Sequence, residues 1–314
     1  MQVNLSVSRP ALAGSLAALG SVLVWSGWIV FTRHGVTTDM PPVTLGLLRY
    51  SIPALIMLPL LLRSGAAFRR AGLVKCAIMV CGSGAPFFLA CSKAMTMAPA
   101  AHVGVMLPGV MPMFVALFSL LLFGERYSGM RLLGYGLVLA GVATLGGASL
   151  IEPAAGDWRG HVLLLISAAS WACFTLAFKR SGLTAWQAAA LINAVSVVIM
   201  VVVDAFQDGP RLWSVPWATL LTQGFAQGIL SGLLALAAYI YAVSVLGASK
   251  ASAFVSLTPA LTTVIAAFTL SEWPDAVTVA AVLIVGSGVA LASGAVSEIS
   301  FKRRVLSRQT QAGE

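Results

Sequence analysis

The residues of this chain that could act on a solute stand inside long apolar runs, and nearly all are neutral. Ser83, His102, Gln223, Gln227, Ser252, Ser256 and Thr258 are the polar ones. Gln223 and Gln227 are four apart, so they share one helix face. A polar group in such a run meets a ligand or bonds a neighbouring helix, and its type leaves both open. Trp25, Trp28, Trp171 and Phe174 add aromatic surface, either for an apolar ligand or for packing. The stretch from Cys81 to Pro86 is all small residues, which means close helix contact or volume for a ligand. The candidate binding set is Trp25, Trp28, Gly82, Ser83, His102, Met106, Trp171, Phe174, Gln223, Gln227 and Ser256.

Pro86, Pro108, Pro112 and Pro259 fall within the runs. A proline there removes a hydrogen bond and pushes on the carbonyl four residues back, here those of Gly82, Gly104, Pro108 and Val255. The four are candidate hinges, with a simple kink as the plainer reading. Arg49 is the cation well inside a run, and it reads as structural, bonding backbone carbonyls or reaching for the nearer run end.

No enzyme constellation is present. There is no HExxH, no Walker A motif, and every Asp and Glu lies at a run end, in a loop or in the tail. Cys76, Cys81, Cys91 and Cys173 sit inside apolar runs without metal-ligand spacing and read as small buried thiols. No cofactor, metal or catalytic residue is expected.

The elements that position these residues follow from composition. Apolar residues make up 59% of the 314 and charged residues 9%, and mean hydropathy is +0.94. Soluble domains average about half apolar and about a quarter charged, so this is an integral membrane protein. The net charge of +9 does not point to nucleic acid, because its placement follows the membrane. The expected partners are the lipid bilayer and a small-molecule substrate, with the chain a monomer or weak dimer. The first run is too long for a signal peptide.

A bilayer core of about 30 Å needs roughly 20 helical residues. Runs that fit are about 12–33, 42–62, 73–92, 101–123, 130–149, 160–179, 186–204, 220–243, 251–270 and 276–296. With the N-terminus cytoplasmic, the inner side holds Arg9; Arg63, Arg69, Arg70 and Lys75; Arg126 and Arg131; Lys179 and Arg180; Lys250; and Lys302, Arg303, Arg304 and Arg308. The outer side holds Arg33, Lys93, Arg159 and Arg211. Fourteen cations against four put both termini in the cytoplasm. Trp158, Trp186, Trp213, Trp217 and Trp273 lie at run ends and read as interfacial anchors.

The chain also repeats itself. Trp25 to Arg33 (WSGWIVFTR) returns as Trp171 to Lys179 (WACFTLAFK), at an offset of 146. Pro112 and Glu125 return as Pro259 and Glu272, and Gly141-Val142-Ala143 as Gly288-Val289-Ala290, at 147. Glu125 and Glu272 close a run in each copy and read as caps or partners of nearby cations. Five runs per copy is an odd number, which inverts the second copy in the membrane. The expected fold is therefore all-α: ten transmembrane helices as two inverted-topology five-helix repeats, 1–149 and 150–298, with a basic cytoplasmic tail, 299–314. In the fifth run, Gly136, Ala140 and Gly141 look like a small-residue packing face, joining the tenth run through Gly286 and Gly288.

These features resemble the drug/metabolite transporter superfamily, in its EamA-type ten-helix branch. The likeness is carried by Trp25 with Arg33, their echo at Trp171 and Lys179, Arg49, residues 240–259, and the ends Gly124-Glu125 and Ser271-Glu272. It covers residues 12–296, and within the branch it is most similar to exporters of aromatic amino acids. Arg33 stands where lysine is more usual, and His102 where a small residue is expected. The resemblance implies export of small metabolites by alternating access from a central cavity lined by runs 1, 3, 4, 6, 8 and 9. The expected location is the inner membrane. The expected cargo is an amphipathic aromatic or other apolar amino acid, with multidrug or other metabolite efflux as the alternative. A channel or a structural subunit is the rival of a different class. With no carboxylate inside a run, transport is expected to follow the substrate gradient or exchange rather than to require protons. His102, whose counterpart lies near Ser249, is the residue through which protons would otherwise couple.

Overall fold

Lipid offers the backbone no hydrogen bonds, so an apolar chain that spans a membrane satisfies its amides within helices. The computed structural model describes residues 9–38, 40–151, 157–206 and 215–293, and the regular elements there are all helical. The predicted tail, the end of the tenth run, Arg211, Trp213 and the centre of the 205–219 loop lie outside the described residues.

The first unit holds α1 (Arg9–Thr37), α2 (Pro42–Ile56), α3 (Leu58–Arg63), α4 (Gly65–Ala71), α5 (Leu73–Ser83), α6 (Ala85–Ala94), α7 (Ala100–Met106), α8 (Met111–Phe123) and α9 (Gly129–Ile151). The second holds α10 (Asp157–Lys179), α11 (Ala185–Ala205), α12 (Trp217–Gly224), a π-helical segment (Phe225–Leu234), α13 (Ala235–Leu246), α14 (Ala248–Val255), α15 (Thr258–Leu270) and α16 (Ala276–Ala292). Taken through their short breaks, eight stretches are long and apolar enough to cross a membrane, while Pro42–Ile56 and Ala276–Ala292 are shorter. The second predicted run breaks at Met57 because Pro59 has no N–H for the Leu55 carbonyl, so α2 ends at Ile56 and α3 restarts at Leu58.

The hinge prolines stand at breaks rather than within continuous helices. Gly84 separates α5 from α6, with Pro86 in the first turn of α6. Pro108 lies between α7 and α8, and Pro112 opens α8. Pro259 opens α15 in the same way after the break at Ser256 and Leu257. A first-turn proline forfeits no helical bond, which is why the sequence tolerates it there. α8 and α15 also end alike, at Gly124 (φ 67°) and Ser271 (φ 57°), both left-handed. Ser271 is the one non-glycine with positive φ among the described residues.

α9 and α16 pack closely. A Cβ on Gly134 would stand 2.6 Å from the Gly288 carbonyl, and one on Gly288 2.7 Å from the Gly134 carbonyl. This corrects the expected face. Gly134, Val138, Gly141 and Leu145 form the buried stripe, whereas Gly136 meets nothing and Ala140 is exposed, because they lie half a turn round the helix. Gly286 approaches Ser256 instead. The largest core cluster joins α1, α2, α6, α7, α10 and α16, and holds Trp28, Phe87, Phe88 and Met106.

Candidate functional site

Two consecutive phenylalanines on α6 divide the aromatic residues between two neighbourhoods. The Phe87 ring lies 5.2 Å from Trp171, which lies 5.1 Å from Phe174. The Phe88 ring lies 6.5 Å from Trp28 and 5.9 Å from Tyr50. Trp25, three residues before Trp28, instead meets Tyr239 of α13 at 5.1 Å. The aromatic residues singled out in the sequence thus have separate ring partners, and α6 bridges two of the groups.

Gly82 is buried, and a Cβ there would run into the Ser170 carbonyl and Phe174, so α5 closes directly on α10. The Ser83 carbonyl accepts from the Tyr50 hydroxyl at 3.3 Å. Met106 is 1% exposed in the core. Ser256 bonds the Ala253 carbonyl at 2.6 Å, within the break between α14 and α15.

Gln223 and Gln227 face α1 together. Gln223 Nε2 donates to the Phe31 carbonyl at 3.1 Å, and Gln227 Nε2 to Thr32 Oγ1 at 3.0 Å and to Gln223 Oε1 at 3.3 Å. Gln227 Oε1 is buried without a partner, and so is Trp28 Nε1. The π-helical segment carries Gln227 and Ser231, and Ser231 Oγ accepts from Arg49 at 3.0 Å. Beside them lies an open apolar groove of about 240 Å³, lined by the exposed Leu23 and Phe31 and by Gly27, Trp28, Ala226 and Leu230 among others.

His102 is bonded through both ring nitrogens. Nδ1 lies 3.0 Å from His161 Nε2, and Nε2 lies 3.1 Å from Thr278 Oγ1. His161 Nδ1 continues to Ser149 Oγ at 2.9 Å. This chain ties α7, α9, α10 and α16 together. Asp275 caps α16, its Oδ1 accepting from the Thr278 amide at 2.7 Å. Hydrogen bonds from Thr278 hold the Asp275 carboxyl below its ordinary value. The cap is therefore fully effective above the ordinary carboxylate range and fades as pH falls through the lowered value.

Two ion pairs complete the arrangement, and they relate by the offset of the repeat. Arg33 Nε donates to Glu272 Oε1 at 2.8 Å, with the side chains 17% and 22% exposed. Arg33 also bonds the Met95 carbonyl, and Glu272 Oε2 accepts from the Ala100 amide at 2.7 Å. Four chain segments meet there: the ends of α1, α6 and α15 and the start of α7. The counterpart pair is Lys179 with Glu125, at 3.4 Å and with side chains 65% and 38% exposed. One pair is thus a closed clamp and the other a loose contact. Glu272 and Glu125 stand outside the set read from the sequence, although the offset linking them to Arg33 and Lys179 was the available signal. His161, Ser231, Tyr50 and Phe88 were not singled out there.

The model of the EamA-like transporter family matches this sequence twice, over residues 12–147 and 158–294. A solved crystal structure of 19% identity superposes with a TM-score of 0.57, over 90% of this chain and 96% of that one, a likeness that shows the fold alone. No curated protein matches the chain.

Proposed function

The chain belongs to the EamA-like transporter family, whose members are multi-pass membrane transporters and not enzymes, and on that footing we propose that it is an inner-membrane exporter of small amphipathic metabolites. On this reading it works by alternating access, and its cargo is an aromatic or other apolar amino acid, as in the aromatic amino-acid exporter YddG. The ten runs cross the membrane as two inverted units, with both termini cytoplasmic.

The observation that carries this reading is the unequal pair of latches. Inverted units put Arg33–Glu272 at the outer face and Lys179–Glu125 at the inner one. A carrier that alternates must never be open at both ends at once, and inverted repeats can supply equivalent closures at the two ends. The clamp at Arg33–Glu272 and the exposed contact at Lys179–Glu125 fit a state closed outside and looser inside. The breaks before Pro112 and Pro259 supply equivalent joints in the two units. Aromatic rings on α1, α6 and α10 suit an apolar side chain, and the scarcity of intramembrane cations argues against multiply charged cargo.

Spin labels test the alternation. One pair replaces Thr37 and Trp273, and the other Ser128 and Trp186, all exposed, with Cys81 and Cys173 first changed to serine. Adding substrate should lengthen the outer distance and shorten the inner one in the same population. Distances that move in the same direction, or not at all under any tested amino acid, would contradict alternating access.

A further inference from the structure

Arg49 has no role in the reading above, yet its setting is unusual. It stands in the middle of α2, and no carboxylate pairs with it among the described residues. Its guanidinium carbon lies 4.6 Å from the centre of the Trp28 ring and 5.9 Å from those of Tyr50 and Phe88. One N–H reaches Ser231 Oγ at 3.0 Å. A guanidinium carries five N–H donors in a fork that matches a carboxylate. Ring faces and the Ser231 and Tyr50 hydroxyls leave its charge without a counter-ion. A cation in an apolar interior is costly unless an anion meets it, so its retention there points to an anion that comes and goes.

Two independent features point the same way. The Trp28 indole N–H has no acceptor, although the residue is only 8% exposed. It is a second donor on the very ring that the guanidinium covers, and Trp28 also lines the open apolar groove between α1 and the π-helical segment. Ser231 sits in a ten-residue π-helical segment, a rare form that concentrates at functional sites. Gly228 and Gly232 let α2 come close to that segment: a Cβ there would stand 2.9 Å from Ile52 and from Pro53 respectively. That approach is what brings Ser231 within reach of Arg49.

We propose that Arg49, with the Trp28 indole N–H and the Ser231 hydroxyl, forms the carboxylate-binding subsite of the transport site. The carried solute is then a carboxylate with an apolar body, and amines lacking a carboxylate are excluded. This rests on the carrier reading for the site and adds α2, which the family resemblance leaves outside the cavity, to its lining.

The test is binding to the full chain in phosphatidylcholine nanodiscs, titrated with 3-phenylpropionate, phenylalanine and phenethylamine. The two carboxylates should bind at least tenfold tighter than the amine. R49Q should abolish that preference, S231A should weaken carboxylate binding several-fold, and R49K should keep the preference at lower affinity. Equal binding of amine and carboxylate, binding of none, or a preference that survives in R49Q would overturn the subsite. If R49Q does not fold, unchanged carboxylate affinity in both R49K and S231A overturns it as well. Competitive displacement of 3-phenylpropionate by added phosphatidylglycerol would make a lipid headgroup the occupant and also overturn it. Carboxylate binding without any counterflow would instead sink the carrier reading and leave the subsite standing.

Discussion

Glu272→Ala should spring the outer end open. The substitution removes the partner of Arg33 Nε and the acceptor of the Ala100 amide together. Hydrogen bonds to charged groups contribute about 1.5–3 kcal/mol each, and this pair is largely but not wholly shielded from solvent. A net loss of about 2–3 kcal/mol shifts a two-state equilibrium by roughly 30- to 150-fold. The Thr37–Trp273 label distance should therefore lengthen without substrate, and exchange should slow because the outward-closed state is rarely reached. Glu272→Gln keeps an acceptor for Ala100 and should fall between. Glu125→Ala should do little, since an exposed pair contributes about 0–1 kcal/mol. Equal effects of the two alanine variants would mean that the asymmetry of the pairs does not govern which end is shut.

His161→Ala should destabilise the protein more than any surface change. His161 is 3% exposed and joins Ser149 to His102, which joins Thr278. Truncation leaves a cavity and strands His102 Nδ1, at about 1–3 kcal/mol for the unpaired nitrogen, while the Ser149 hydroxyl keeps its bond to the Leu145 carbonyl. The melting temperature in detergent should fall by several degrees, and His102→Ala should fall comparably, because the two share one network. With substrate equal on both sides of a liposome, an imposed pH gradient should drive no net accumulation. Accumulation that vanishes in a folded His102→Ala variant would show instead that His102 carries a coupling proton.

Much of the scaffold was legible because repetition multiplies weak signals. Trp25 and Trp171, or Pro112 and Pro259, mean little singly, but a constant offset ties them together. Helix breaks at proline were readable from the missing N–H. The break at Met57 has the same cause in Pro59, which was not singled out, whereas the π-helical segment was not readable, since Phe225–Leu234 has the composition of any apolar helix. Which way side chains turn was harder still. Trp25 and Trp28 are less than one turn apart, yet a small difference in azimuth sends one to Tyr239 and the other to Phe88. Gln223 and Gln227 were read correctly as sharing a face, but not that the face would meet α1. His161 gave no pattern of its own, and its meaning appears only when α10 lies against α7 and α9. Arg49 was visible as an oddity, but the Trp28 and Phe88 rings and the Ser231 hydroxyl around it come from three other elements.

The central claim is that this chain alone moves a small amphipathic solute across a bilayer as a carrier. The direct measurement is counterflow in liposomes holding purified protein and unlabelled amino acid, with labelled amino acid outside. Uptake should be saturable, should rise transiently above equilibrium, and should be greater for phenylalanine or tryptophan than for alanine. Uptake no greater than in empty liposomes for all twenty amino acids, or flux that grows linearly without saturation, would contradict it.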